Sequence, residues 1–111
     1  MLSKYIIFDT STIRDALISI NEITHEGASL LVIDSQSKMV GSLTDGDIRR
    51  GLILGAQLTD KVSSIMHRDF KYIKRSDFDV IHLIDFRNRR ILFIPILDEE
   101  NHIVEVVNLQ K

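Results

Sequence analysis

The chain has 111 residues, of which 44% are hydrophobic and 27% are charged, so its composition is that of a compact globular unit. The net charge of −2 lacks the basic excess that dominates nucleic-acid affinity, and the absence of cysteine excludes disulfides, thiolate zinc sites and cysteine nucleophiles. No apolar run reaches the roughly 18 residues that span a bilayer, so we expect a cytoplasmic protein that binds neither nucleic acid nor membrane.

The chain begins with a predicted strand and helix. A short apolar strand over residues 5–9 leads to Thr12, and Asp15 follows three residues later. This hydroxyl–acid spacing is the capping-box pattern and predicts a helix start at Thr12. Apolar residues at helical spacing follow, and Gly27 is a suitable end for the helix.

A hairpin and further helical segments are predicted next, because apolar runs alternate with polar turns. They are strands over residues 30–33 and 39–43, a helix over 47–54 ended by Gly55, and a helical turn over 62–66 capped by Thr59 or Asp60.

The same order of elements then begins again, at an offset that aligns Asp34 with Asp98; we call this shift the repeat offset. The second set is a strand over 70–73, a capping box at Ser76 and Asp79, an apolar helical stripe of Val80, Ile81 and Ile84, and hairpin strands over 91–97 and 102–107. At this one offset the capping residues and core residues of the first set align with those of the second set without a gap. We therefore predict two similar units, residues 1–67 and 68–111, packed about a pseudo-twofold axis. The fold class is α/β (α+β), each unit being a small sheet with two helices.

The second unit departs from the first near its end. At the repeat offset the polar positions pair as Gly41 with Glu105, Thr44 with Asn108 and Asp47 with Lys111. The chain also stops where the last helix of the second unit should begin. We expect the natural protein to continue past Lys111; the alternative is a second unit that is itself incomplete.

The most informative stretch runs from Gly41 to Arg50, where a strand ends and a helix begins. A helix start offers backbone N–H groups and a positive dipole end, which favour phosphate or another anion. Thr44 and Asp47 also form a capping box, so a purely structural role stays open. Asp45 with Asp47 as a magnesium pair is a third possibility, although no glycine-rich phosphate loop or second carboxylate cluster accompanies them. The four histidines lack metal-ligand spacing, and no catalytic or metal site is predicted.

With this repeat and turn, the chain resembles a tandem pair of cystathionine-beta-synthase (CBS) domains, the regulatory unit called a Bateman module. Three stretches carry the resemblance: Leu31-Val32-Ile33-Asp34, Val40-Gly41-Ser42-Leu43-Thr44-Asp45-Gly46-Asp47-Ile48-Arg49-Arg50, and Val62-Ser63-Ser64-Ile65-Met66. The amino-acid sequence of this turn is similar to that of CBS domain pairs fused to sugar-phosphate nucleotidyltransferases.

The resemblance implies a ligand site in the cleft between the two units. Such pairs bind AMP, ADP, ATP or S-adenosylmethionine and need no cofactor. The implied contacts are Thr10 bordering the pocket, Gly41 admitting the ligand to the backbone, Leu43 near the base, Thr44 on a phosphate, Asp47 on the ribose hydroxyls, and Arg49 or Arg50 on the phosphates. Because Asn108 and Lys111 depart from the motif, we expect no second equivalent site.

The resemblance thus predicts a non-catalytic regulatory module that binds an adenine nucleotide. It is expected to form a homodimer and to modulate a fused or associated enzyme, a C-terminal sugar-phosphate nucleotidyltransferase domain. The alternative is a structural dimerisation module with a vestigial nucleotide site. An enzyme that uses Asp45 and Asp47 is the remaining alternative.

Overall fold

The computed structural model describes residues 2–110 and contains two three-stranded sheets with strand orders β1-β2-β3 and β4-β5-β6. The elements are β1 (Ile6–Phe8), α1 (Ile13–Ile23), β2 (Leu30–Ile33), β3 (Met39–Leu43), α2 (Asp45–Ile53), β4 (Ile73–Lys74), α3 (Val80–Asn88), β5 (Phe93–Leu97) and β6 (Ile103–Asn108). The α+β architecture predicted from the sequence is confirmed. Within residues 2–110, every helix is too short or too polar to cross a membrane.

The first half follows the sequence prediction closely. Thr12 caps α1, since the Asp15 N–H donates to Thr12 Oγ1 at 3.1 Å and the Thr12 N–H donates to Asp15 Oδ2 at 3.2 Å. A short 3₁₀ turn follows α1 and ends at Gly27, whose φ of +69° favours glycine. The α2 helix begins at Asp45, two residues earlier than predicted, because Thr44 is its cap.

A continuous apolar core joins α1 to the first sheet. In each sheet the first strand runs parallel to the second and the third strand runs antiparallel to it. All four residues of β2 are buried, and the face of α1 that carries Ile13 and Ile20 packs on them. Leu97 of β5 belongs to the same cluster, so the core crosses between the halves. Full burial of each such side chain stabilises the fold by about 1.5–3 kcal/mol.

Two local predictions around the link between the halves were wrong. The turn after α2 is a 3₁₀ segment over Val62–Ser64 that follows Lys61 and has no side-chain cap. The Asp60 carboxylate instead accepts the Gln57 N–H at 2.8 Å, within its own loop. The strand predicted over residues 70–73 is reduced to the two residues of β4, which pair with the end of β5.

The internal repeat is confirmed for the two hairpins. Val32 pairs with Gly41 in the first hairpin, and Ile96 pairs with Glu105 in the second, which are the same positions at the repeat offset. The register shift after Val32 also recurs after Ile96. The two hairpins therefore have the same register and the same irregularity.

The repeat is not gapless at the second helix, and the capping box predicted at Ser76 and Asp79 was wrong. Asp79 itself caps α3, because its carboxylate accepts the His82 N–H at 2.9 Å, and Ser76 lies in a preceding 3₁₀ turn. The repeat offset that aligns the hairpins also aligns the cap residue Thr12 with Ser76. The observed cap of α3, Asp79, is three positions later. The 3₁₀ turn over Arg75–Asp77 takes up the predicted start, so the helix begins after Asp79.

The apolar stripe predicted for α3 does not face the core. Val80, Ile81 and Ile84 are 67%, 75% and 46% exposed, whereas Phe86 is buried. The later start rotates the helix, so that Phe86 packs on the second sheet instead. In the first half α2 lies against α1, but the described part of the second half has no helix in the equivalent place.

The halves meet through their hairpins. Lys38 and His102, which are equivalent at the repeat offset, form an isolated antiparallel bridge. The Met39 N–H donates to the Asn101 carbonyl at 2.9 Å beside this bridge. A contact between equivalent residues places the hairpin tips on a pseudo-twofold axis.

Candidate functional site

The start of α2 is held by a complete capping box. The Thr44 N–H donates to Asp47 Oδ2 at 2.9 Å, and the Asp47 N–H donates to Thr44 Oγ1 at 3.1 Å. The structural interpretation of this pair is therefore confirmed, as it is for Thr12 and Asp15. Because the box occupies the Asp47 N–H, the N–H groups of Asp45 and Gly46 are the donors at the helix start that remain for an anion.

Two arginines neutralise the acidic residues of this turn. Arg49 forms an ion pair with Asp45, and Arg50 Nη2 lies 2.7 Å from Asp47 Oδ1. The Arg50 side chain is 69% exposed and folds back over Gly46, where Nη1 lies 3.2 Å from the position of an added Cβ. Because exposed ion pairs are worth about 1 kcal/mol or less, an anion at this turn can compete for Arg50.

One concave surface includes residues of this turn, and a second includes Ser42, two residues before Thr44. A groove of about 550 Å³ follows α2 and includes Asp47 and Arg50 in its wall. A cleft of about 180 Å³ lies between the halves, where Ser42 faces Lys71, Ile91 and Phe93. Two backbone hydrogen bonds fix Ser42 in this position. The Ser42 N–H donates to the His67 carbonyl at 2.9 Å, and the His67 N–H donates to the Ser42 carbonyl at 2.8 Å.

Two residues predicted to contact a ligand support the turn from inside. A Cβ added to Gly41 would stand 2.6 Å from Met66 Sδ, so Gly41 lets Met66 pack closely against β3, and its contact with a ligand stays a prediction. Leu43 is 0% exposed and belongs to the core of the first half. Both residues position β3 and the start of α2, and the structure brings neither to the surface of the cleft.

Thr10 lies at the opposite end of the first sheet from Thr44. Phe8 pairs with Ile33, whereas Leu43 pairs with Leu30 at the other end of β2. At about 3.3 Å per residue, these ends are about 10 Å apart along the strand. Thr10 and Thr44 therefore lie towards opposite ends of the first sheet, and the role of Thr10 at the edge of the pocket stays a prediction.

Sequence reasoning missed the residues that line the cleft. The alternating burial of β3 puts Gly41 and Leu43 on one face and Ser42 on the other, and this alternation was available as a signal for Ser42. Lys71, Ile91 and Phe93 had no such signal, because only the packing of the two halves brings them opposite Ser42.

The described residues contain no group of three or more histidine, aspartate or glutamate side chains that are close enough to hold a metal ion. A carboxylate with a lowered pKa lies elsewhere, in the turn of the second hairpin. The N–H groups of His102 and Glu100 donate to Asp98 Oδ1, both at 2.9 Å, and hold the pKa of Asp98 below its ordinary value. Asp34 accepts the same two bonds in the first hairpin, so this arrangement is structural. Lys111, predicted as the counterpart of Asp47, lies outside the described residues.

Comparison with known proteins extends these observations. No protein-family model matches the chain. An uncharacterised protein of Helicobacter pylori strain J99 is 30% identical over 107 residues, which are 96% of this chain and 32% of that protein. Arabinose 5-phosphate isomerase GutQ of Escherichia coli K12 is 28% identical over 102 residues, 91% of this chain and 31% of the isomerase. The chain thus spans about a third of the length of these relatives.

Solved structures show the fold. The CBS domains of a Streptococcus pneumoniae transcriptional regulator superpose with a TM-score of 0.78 at 14% identity, covering 98% of this chain and 87% of that one. The CBS domain pair of MJ0100, in complex with 5′-methylthioadenosine and S-adenosyl-L-methionine, gives 0.70 at 24%, covering 95% and 81%. The cytosolic domain of the Mg²⁺ channel MgtE, in complex with ATP, gives 0.73 at 19%, covering 96% and 43%. Residues 2–110 are therefore folded as a tandem pair of CBS domains.

Proposed function

We propose that this chain is a regulatory module that binds an adenine nucleotide between its two halves, beside the start of α2. The observation that carries the proposal is that Ser42, which lines the cleft between the halves with Lys71 and Ile91, comes only two residues before Thr44, the cap of α2. The complexes of MJ0100 and MgtE support it, since both hold adenosine-containing ligands on the same fold.

The helix start has separate groups for a phosphate and for a ribose. The N–H groups of Asp45 and Gly46 and the guanidinium of Arg50 are suited to a phosphate. In the free protein Arg50 is paired with Asp47 Oδ1. When Arg50 turns to a phosphate, this oxygen becomes available to a ribose hydroxyl, while Oδ2 keeps the cap on the Thr44 N–H. Capping and ligand binding are therefore compatible functions of Asp47.

The opposite wall of the cleft belongs to the second half. Ile91 and Phe93 offer an apolar surface to a base, and Lys71 adds a positive charge. A ligand that contacts both walls binds better to one relative arrangement of the halves than to others. Such differential binding is what allows the module to bias an attached enzyme.

The kind of enzyme is a separate part of the proposal. The similarity to the Escherichia coli isomerase, of which this chain spans about a third, favours an attached enzyme that acts on a sugar phosphate. That the attached enzyme is a sugar-phosphate nucleotidyltransferase stays a prediction from the amino-acid sequence of the turn. The module itself has no proposed catalytic residue.

A structural dimerisation module is the second candidate. The exposed apolar side chains Val80, Ile81 and Ile84 of α3 favour it, because a dimer that covered them would be stabilised by their burial. In that case the helix start of α2 would keep its capping role alone. Ligand binding distinguishes the two candidates.

Thermal unfolding with AMP, ADP, ATP and S-adenosylmethionine tests the proposal. A ligand that binds only the folded protein at 100 times its Kd adds about 2.7 kcal/mol, which raises the Tm by on the order of 10 °C in a domain of this size. We expect a rise with at least one of the four, and no rise in Asp47→Ala. No rise for any ligand at millimolar concentration would contradict the proposal.

Asp15→Ala is the matched control for Asp47→Ala. Asp15 forms the same capping box at the start of α1 and, unlike Asp47, lines neither the groove along α2 nor the cleft between the halves. Both substitutions should lower stability by about 1 kcal/mol through loss of the box. Only Asp47→Ala should lose the response to ligand; an equal response in both variants would assign Asp47 to capping alone.

A further inference from the structure

A buried carboxylate joins the chain before β1 to the end of α1. Glu26 is 7% exposed, accepts a hydrogen bond of 2.6 Å from the Tyr5 hydroxyl, and lies 2.9 Å from Lys4 Nζ. The Tyr5 ring in turn packs edge-on against Phe93 of the second half, with ring centroids 5.0 Å apart. The first half is thus fastened to the second at this point.

The end of β6 closes on the same residue from the other side. Asn108 Nδ2 donates to the Glu26 carbonyl at 3.0 Å, and the Gln110 N–H donates to Asn108 Oδ1 at 3.0 Å. The Gln110 side chain lies against Gly27, within 2.6 Å of the position of an added Cβ. We call Lys4, Tyr5, Glu26 and Asn108 the Glu26 latch.

The repeat shows which surface the latch covers. The repeat offset aligns Thr44 with Asn108, and it aligns Ser29 with Phe93, the strand partner of Asn108. The latch therefore lies where the second half would present its own counterpart of the Thr44 site. At the first site the position equivalent to Glu26 is Arg90, which is exposed, and the cleft beside the next residue, Ile91, stays open.

We propose that the Glu26 latch closes the second of the two pseudo-equivalent clefts with the protein's own side chains, so that each chain binds one adenine nucleotide. This inference rests on the proposed function for its ligand. Asn108 replaces the capping hydroxyl by an amide that reaches across to the first half. Opening the latch would break the hydrogen bond from Asn108 to the Glu26 carbonyl and the ring contact of Tyr5 with Phe93, so the closed state is favoured.

Calorimetric titration of the whole chain with ATP measures the number of sites. We expect one ATP per chain in the wild type and no binding in Asp47→Ala, because the other cleft is closed. Two ATP per chain, or one remaining in Asp47→Ala, would overturn the inference.

A double-mutant cycle tests the latch without ligand. Tyr5→Phe and Asn108→Ala should each lower the folding equilibrium constant about fivefold, the usual effect of losing one hydrogen bond. Because both residues hold Glu26, their effects should be coupled, and the double variant should lose less than the product of the two. Tyr72→Phe, at an exposed tyrosine, is the control. Its effect on the folding equilibrium constant should be independent of the effect of Asn108→Ala. Independent effects of Tyr5→Phe and Asn108→Ala would refute the latch, and an absence of ATP binding alone would refute only the proposed function.

Discussion

At the scale of single residues, the most informative feature is that the Asp47 carboxylate has two roles. Asp47 uses Oδ2 to cap α2 and Oδ1 to hold Arg50. The capping role follows from sequence spacing, as it does for Asp15. The ion pair with Arg50 also lies within one helical turn. The position of the Arg50 side chain over Gly46 depends on three-dimensional packing and was not predictable from spacing.

Asp98 predicts an acid-sensitive contribution to stability. Its pKa is lowered in the folded state by the N–H donors of His102 and Glu100. A lowered folded pKa gives stability that is present above the unfolded value of about 4 and is lost as pH falls through the folded value. Asp98→Asn keeps an oxygen for these donors but cannot titrate. Urea unfolding between about pH 2 and pH 6 should therefore show a weaker pH dependence in Asp98→Asn than in the wild type.

Glu99→Gln, in the exposed part of the same turn, is the control for this experiment. It should retain the acid dependence of the wild type. An acid dependence in Asp98→Asn equal to that of Glu99→Gln would show that Asp98 does not link folding to pH.

At the scale of elements, local patterns predicted what local interactions determine. The α1 cap, both strands of the first hairpin and the equivalent register of the second hairpin followed from apolar runs and turn residues. The failure at α3 has a physical cause. A 3₁₀ turn over Arg75–Asp77 moves the cap from Ser76 to Asp79, and the resulting helix leaves Val80 and Ile81 exposed while Phe86 packs on the second sheet.

Gly41 predicts a steric link between β3 and the segment after α2. In Gly41→Ala the new methyl group would stand 2.6 Å from Met66 Sδ and 2.8 Å from Met66 Cγ. Such overpacking typically costs about 1–3 kcal/mol, and we expect about 2 kcal/mol by urea unfolding. Met66→Ala removes the clashing atoms but also a buried side chain, so the double variant should lose less stability than the sum of the two single variants.

Gly46→Ala is the matched control on the other side of the turn. Its nearest neighbour is the flexible end of Arg50 at 3.2 Å, and alanine favours a helix by about 1 kcal/mol over glycine. Gly46→Ala should therefore be neutral or stabilising. A Gly41→Ala variant as stable as Gly46→Ala would show that Met66 does not fill the space beside Gly41.

At the scale of the whole molecule, the two-unit architecture followed from the sequence but the composition of the site did not. The internal repeat predicted a pseudo-twofold pair, and the bridge between Lys38 and His102 confirms contact across that axis. The parallel pairing of β1 with β2 carries the end of β1, next to Thr10, away from Thr44, and spacing in the sequence does not show this. Lys71 and Ile91 were missed because they reach Ser42 only through the packing of the halves.

The central claim is that one adenine nucleotide binds across the open cleft, and amide NMR shifts on titration with ATP test it most directly. We expect shifts at Asp45 and Gly46 on the first wall and at Lys71 and Ile91 on the second, with the amides of the Glu26 latch unchanged. Shifts confined to one wall, shifts centred on Glu26 and Asn108, or no shifts with saturating ATP would contradict the account.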